Sequence, residues 1–228
     1  NAGMGEGRNR REVITDTLMP NQLTACRHAN GRDWWVNCFV NDRKRIYRLI
    51  VTPDTILNLG YYNDEIVQPY GGGSFKYNAE GTKLYRKKAV FRNETDSLFV
   101  WNFDRCTGYL SGVERYRLKD STRLNSFGYS IEFSPSGRYL YATNGWLIHQ
   151  YDLWSDDLVR SGILVGEARE EIDSTLNWPI SGFFGMQLGP NGKIYLSGST
   201  FTRYLHTIER PDERGRACDF RYKGQPLY

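Results

Sequence analysis

Apolar and polar positions alternate along this chain in short runs and nowhere settle into helical spacing. In Leu98-Phe-Val-Trp-Asn-Phe-Asp104, Phe99, Trp101 and Phe103 fall on one side of an extended strand, and Asn102 and Asp104 on the other. Trp146-Leu-Ile-His-Gln-Tyr-Asp152 repeats the shape, with Tyr151-Asp152 answering Phe103-Asp104. An amphipathic helix needs apolar residues at i, i+3, i+4 and i+7, and the chain offers no sustained instance. Ala168 to Leu176 is the one stretch that reads as a helical turn, and it is short. The pattern predicts an all-β chain.

Four segments share one form: a strand-like run, a turn ending in glycine, and a second run. They are Cys26 to Val36, Phe75 to Tyr85, Ile131 to Tyr141 and Met186 to Leu196. Their turn glycines are Gly31, Gly81, Gly137 and Gly192, separated by 50, 56 and 55 residues. Glycine at these points suits hairpin turns that require positive φ. The flanking Tyr, Ile, Leu, Val and Phe have the composition of strands. Phe103-Asp104 and Tyr151-Asp152 have outer counterparts in Pro53-Asp54 and Pro211-Asp212, and a further stretch such as Leu158 to Val165 closes several units. Four short strands per roughly 50 residues is the pattern of a β-propeller blade. A β-sandwich uses similar strands without requiring the recurring turn. The chain therefore reads as a β-propeller of four-stranded antiparallel blades at about 23–70, 71–125, 126–180 and 181–228, after a leading segment at 1–22.

Composition narrows the function classes. Of 228 residues, 39% are hydrophobic and 14% aromatic, which excludes wholesale disorder. No run approaches the roughly 18 apolar residues of a membrane-spanning helix. The net charge is +4. Arg8, Arg10 and Arg11, then Arg43, Lys44 and Arg45, then Arg86, Lys87 and Lys88 form short basic clusters with acidic residues interspersed. They read as solvated faces and turns rather than a nucleic-acid interface. Cys26, Cys38, Cys106 and Cys218 form no CxxC pair, which leaves both disulfides and buried thiols open. No charged start followed by an apolar stretch marks a signal peptide. The chain begins at Asn1 and stops at Tyr228, which reads as a leader removed or as a piece of a longer protein.

Candidate chemistry is thin. His149 and His206 lie in strand-like runs and read as packed strand residues. Arg27, His28, Arg32 and Asp33 cluster around the first hairpin. Such a set suits binding of a carboxylate or sugar, or equally the fastening of the hairpin by ion pairs. Asp152, Asp156 and Asp157, and Glu170, Glu171 and Asp173, read as loop charge. Glycoside hydrolysis needs two carboxylates about 5–10 Å apart across a sugar, and sequence neighbours do not establish that. No calcium loop, GxSxG elbow or Cys–His couple occurs. Gly3, Gly5 and Gly7, and Gly71 to Gly73, neither follow a strand nor open a helix, so they read as connectors rather than phosphate loops. No cofactor, metal or catalytic set is predicted. Most of the six tryptophans read as inter-blade core. Trp154, before Ser155-Asp156-Asp157, and Trp178, before Pro179, are the exposed candidates for stacking on a sugar.

Leu23 to Val36, Phe103-Asp-Arg-Cys-Thr-Gly108, Phe133 to Tyr141, Gly189-Pro-Asn-Gly-Lys-Ile-Tyr195, Leu205-His-Thr-Ile208 and Ala217-Cys-Asp-Phe220 carry a family resemblance. Together they resemble the propeller domain of secreted, surface-associated Bacteroidetes-type proteins, cargo-like for type IX secretion, with a YVTN or quinoprotein-amine-dehydrogenase-like β-propeller. The resemblance runs along essentially the whole chain; Cys38 and the stretch Phe91 to Ser97 depart from it. It implies a secreted or cell-surface location and about four blades of a seven-bladed ring, with 1–22 as the end of a preceding blade. The remaining blades would lie in the parent chain. It assigns no chemistry to particular residues. Two functions stay open: a non-enzymatic scaffold that binds a protein or glycan, and a hydrolase or lactonase with polar side chains converging on the central channel. Propellers host both.

Overall fold

A computed structural model of the chain describes residues 14, 16, 18–40, 45–63, 73–88, 97–118, 130–169, 172–173, 178–179, 182–198 and 202–227. Each of the four recurring turns joins the first two strands of a four-stranded antiparallel sheet. Blade 1 contains β1 (Leu18–Arg27), β2 (Trp34–Val40), β3 (Arg45–Val51) and β4 (Ile56–Asn63). Blade 2 contains β5 (Gly73–Tyr77), β6 (Lys83–Lys88), β7 (Ser97–Phe103) and β8 (Leu110–Arg117). Blade 3 contains β9 (Ile131–Phe133), β10 (Tyr139–Thr143), β11 (Leu147–Asp152) and β12 (Ile163–Glu167). After the small pair β13 (Ile172–Asp173) and β14 (Trp178–Pro179), blade 4 contains β15 (Met186–Leu188), β16 (Ile194–Ser197), β17 (Tyr204–Ile208) and β18 (Phe220–Pro226). Within every blade the strands lie side by side in chain order. The four sheets are arranged as a four-blade β-propeller.

The turn glycines adopt φ values of 72°, 67°, 73° and 77°. In each turn the glycine N–H donates to a carbonyl three residues back, on His28, Asn78, Ser134 and Gly189. An L-residue pays about 1–2 kcal/mol to hold such a φ, which explains why the repeat is anchored on glycine.

Strand alternation gives each sheet two faces, and the interior blades bury both. Phe75, Tyr77 and Leu84 of blade 2 pack against Trp35, Phe39 and Ile46 of blade 1. The opposite face of blade 2, with Tyr85, Leu98 and Val100, meets Ile131, Phe133 and Leu140 of blade 3. Tyr139, Tyr141 and Ile148 then meet Met186, Ile194, Leu196 and Ile208 of blade 4. The outer faces differ. On blade 1, Cys38, Val40, Tyr47 and Leu49 form a cluster partly covered by Ile14 and Leu18. Beside them Leu23, Trp34 and Tyr61 are exposed. On blade 4 the residues alternating with its core set are Gln187, Tyr195, Thr207 and Arg221, joined by a Lys193–Glu209 ion pair at 2.6 Å.

Two local expectations change. Leu158 to Val165 begins as a one-turn helix α1 (Leu158–Ser161), capped by Asp157, whose carboxylate accepts the Arg160 N–H, and only then enters β12. Within the stretch read as a helical turn, Ile172–Asp173 instead pair with Trp178–Pro179 as strand.

Glycines at two positions separate strain from space. A Cβ on Gly108 (φ +74°) would lie 2.5 Å from the ring of buried Trp35, whereas a Cβ on Gly137 (φ +73°) would meet nothing within 4 Å. Gly108→Ala is expected to cost roughly 2–4 kcal/mol, from backbone strain plus overpacking. Gly137→Ala should cost about 1–2 kcal/mol from strain alone. Urea unfolding of the two variants measures the difference; equal losses would show that Trp35 gives way freely.

Candidate ligand-binding site

The loops after β7 and β17 hold neighbouring blades together. After β7, Asp104 shapes a tight turn: its carboxylate accepts Cys106 N at 2.8 Å and Thr107 Oγ1 at 2.7 Å. These bonds, with the Thr107 hydroxyl foremost, hold its pKa below the usual range. The turn delivers Arg105 to blade 1. The Arg105 carbonyl accepts Trp35 Nε1 at 2.8 Å and Ala29 N at 3.0 Å. Its guanidinium donates to the carbonyls of Arg27 (2.9 Å), Glu80 (3.0 Å) and His28 (3.3 Å). Blade 4 clasps blade 3 in the same way. Tyr141 Oη donates to the Pro211 carbonyl at 2.8 Å, and Gln150 bridges to Glu213 O and Gly215 N, both at 2.7 Å. Asp212 accepts Ser136 N at 3.1 Å and Ser136 Oγ at 2.5 Å. Phe103-Asp104 and Pro211-Asp212 thus introduce the two clasping loops, whereas Asp152 of the Tyr-Asp pair bonds Arg138 within its own blade.

The Arg105 clasp forms the floor of a cavity of about 440 Å³ between blade 1 and the β5–β6 turn, lined among others by Cys26, Arg27, Trp34, Asn78, Glu80 and Arg105. This volume lies within the roughly 300–1,000 Å³ of small-ligand pockets. Arg27 and Trp34 are cross-strand partners on the outward side of blade 1, so the cavity takes in residues from both faces of β1, and the Arg27 guanidinium sits 5.4 Å over the indole. Opposite them, Asn78 Nδ2 donates to Glu80 Oε2 at 2.8 Å, while Asn78 Oδ1 accepts Thr82 N and Lys83 N, both at 2.8 Å. Burial pushes the Cys26 thiol up to about 12, and the Arg105 charge draws it only part of the way back. Cys26 is therefore a protonated wall residue rather than a nucleophile.

The predicted hairpin cluster is divided by the fold. Arg27 lines the cavity. His28 stacks on Trp35 with centroids 5.2 Å apart, and its Nδ1 accepts Asn30 N at 3.0 Å. Arg32 pairs with Asp33 at 2.8 Å, and Asn30 Nδ2 donates to the same carboxylate at 2.7 Å. These bonds, with Arg32 foremost, lower the Asp33 pKa. His28, Arg32 and Asp33 thus brace the turn. Trp154 is 70% exposed on the loop after β11, with Arg138 at 5.0 Å over its ring. Trp178 lies in β14, and its side chain falls outside the described residues. Sequence reasoning did not single out Asn78, Glu80 or Arg105. The signals were their places in the repeat, inside the second turn and directly after Phe103-Asp104.

Along the inner strands, Lys76 of β5, Glu132 of β9 and Gln187 of β15 converge. Lys76 Nζ makes a short ion pair with Glu132 and donates to Gln187 Oε1 at 3.3 Å. The Glu132 carboxylate also accepts Leu188 N at 2.9 Å and Phe133 N at 3.0 Å. His206 is buried among Phe183, Tyr204 and Tyr222, and its Nδ1 accepts Lys223 N at 3.1 Å. All four cysteines are free thiols. Among the described residues no group of three or more His, Cys, Asp or Glu is placed to hold a metal. No helix there is long and apolar enough to cross a membrane.

Two measurements probe these joints. Tyr141 is fully buried, and Tyr141→Phe strips a donor from the Pro211 carbonyl and an acceptor from Gln150. The expected loss is about 1–3 kcal/mol, read by urea unfolding; an unchanged midpoint would remove the clasp from the list of stabilising contacts. Separately, Arg138 grips Asp152 at 2.8–3.3 Å and, as the leading cause, lowers its pKa. A carboxylate depressed in the folded state stabilises above its unfolded pKa of about 4, and that stability fades as pH falls through the folded value. Asp152→Asn should therefore flatten the loss of stability below about pH 4. Parallel acid limbs in the two proteins would show that the pair contributes nothing.

No known family model matches the chain, and no curated protein matches it. Solved structures align with part of it at low similarity. A provisionally named 6-phosphogluconolactonase from Bacteroides fragilis is 14% identical with a TM-score of 0.41, over 62% of this chain and 36% of that one. A second protein so named, from Bacteroides uniformis, is 14% identical with a TM-score of 0.42, over 63% and 40%. A protein of unknown function from Desulfotomaculum acetoxidans is 8% identical with a TM-score of 0.44, over 81% and 64%. The chain thus spans between about a third and two-thirds of the length of these structures, and no residue role is carried over from them.

Proposed function

We propose that this chain is a propeller of an exported, surface-associated protein and acts as a binding scaffold for a protein or carbohydrate ligand. The observation that carries this reading is the cavity between blades 1 and 2. It offers an indole face, a guanidinium and a carboxylate on a rim fixed by paired strands and by the Arg105 clasp. Groups held by paired strands lose little freedom on binding, which favours affinity. The family resemblance along the chain supports the exported, surface-associated location. The exposed Trp154 adds a second aromatic platform on the loop after β11.

The hydrolase or lactonase reading places chemistry in the channel. There Glu132 already accepts one ammonium and two backbone N–H groups, an arrangement that favours a structural carboxylate over a general base. A carbohydrate array and a panel of ester and lactone substrates, both run with the 228-residue chain, test the two readings together. Retention of one carbohydrate class without turnover is expected. Turnover that Glu132→Gln abolishes would overturn the scaffold reading.

A further inference from the structure

We infer that the cavity between blades 1 and 2 binds an acidic saccharide, a pyranose carrying a carboxylate in the manner of a uronic acid. This rests on the scaffold reading and assigns it a ligand class. Charge supplies the first part of the argument. Two arginines, Arg27 and Arg105, line the cavity against one acidic residue, Glu80. Among the described residues the Arg27 guanidinium meets no carboxylate; its neighbour is the Trp34 ring. Arg105 donates to three carbonyls, which fix its position without neutralising its charge. A ligand carboxylate complements this surplus, and a guanidinium presents the planar donor fork that suits it.

Shape and the remaining polar groups point to a sugar as the bearer of that carboxylate. Trp34 is 43% exposed, so part of a flat, polarisable ring is open to an apolar ring face. Glu80 is held through Oε2 by Asn78, and Oε1 has no partner among the described residues. Asn78 is itself fixed by two backbone N–H groups of the turn. An acceptor pinned in this way serves a hydroxyl donor. One rim therefore presents a guanidinium for a carboxylate, an indole for a ring face, and a carboxylate oxygen for a hydroxyl. An acidic peptide supplies the first of these, but no polyhydroxylated ring to cover Trp34 while donating to Glu80.

The test is calorimetric titration of the 228-residue chain with three probes: a trimer of 1,4-linked galacturonic acid, the same trimer with its carboxyls methyl-esterified, and a hepta-glutamate peptide. The free-acid trimer is expected to bind at least tenfold more tightly than the ester, with the gap shrinking as salt rises. Arg27→Gln should bring the acid down to the level of the ester and leave the ester unchanged. Trp34→Leu, which keeps apolar bulk on the strand, should weaken both. Melting temperatures of both variants, expected at the wild-type value, establish that they fold. Equal binding of acid and ester would overturn the charge assignment while leaving a saccharide-binding scaffold intact. Binding of the peptide but not the trimer would overturn the saccharide assignment. Binding of neither probe also overturns the inference, and the array then judges the scaffold reading separately.

Discussion

The indole N–H of Trp35 donating to the carbonyl of Arg105 is the contact on which the local architecture turns. A propeller blade is a sheet with two apolar faces, so it is stable only when a neighbour covers it. Burying an aromatic with a polar tip adds a second demand, because the N–H or O–H must find a partner. Trp35 and Tyr141 meet both demands with one move. Each inserts its ring between two sheets and hands its donor to a carbonyl in the loop of the next blade. The close fit at Gly108 against Trp35 shows how little room the joint leaves. The same joint fixes the carbonyls of Arg27, His28 and Glu80 around one guanidinium, and this sets the shape of the cavity above it.

Much of this was legible in the sequence. Gly31, Gly81, Gly137 and Gly192 marked the hairpins because only a residue without a Cβ takes their φ cheaply, and the structure places each at that conformation. The Phe103-Asp104 and Pro211-Asp212 pairs were visible as repeats, but their role as clasp openers was not, since the partners of the loops they open lie in the preceding blade. Trp34 and Trp35 show the limit most clearly. Two adjacent identical residues point to opposite faces of a strand, so composition gives no clue which one is core. The phase is set by sheet neighbours, and Trp35 goes inside at 1% exposure while Trp34 stays on the rim at 43%. The cavity was illegible for a related reason: Arg27, Glu80 and Arg105 come from three separate stretches of the chain. The short helix at Leu158 depends on a cap from Asp157, a signal weaker than the strand pattern around it.

The two ends of the blade series have different surface chemistry. Blade 1 turns an apolar face outward, with Leu23, Trp34 and Tyr61 beside the cluster at Cys38 and Tyr47. Blade 4 turns out Gln187, Tyr195 and Arg221, with Lys193 and Glu209 paired across the strands. The ion pair holds the Glu209 pKa below its usual range, as expected where a carboxylate has a fixed cation and a hydroxyl donor. The interior repeats have apolar residues on both faces because both are covered.

The clasps also run in one direction. In each, a later blade bonds an earlier one, across 59 to 78 positions. During vectorial synthesis the first hairpin therefore leaves the ribosome before the loop that will lock it has been made. At about 5–20 residues per second that delay is roughly 3–16 s. For that interval Trp35 has neither its ring neighbours from blade 2 nor an acceptor for its N–H. The nascent blade is a half-finished surface whose completion is timed by translation.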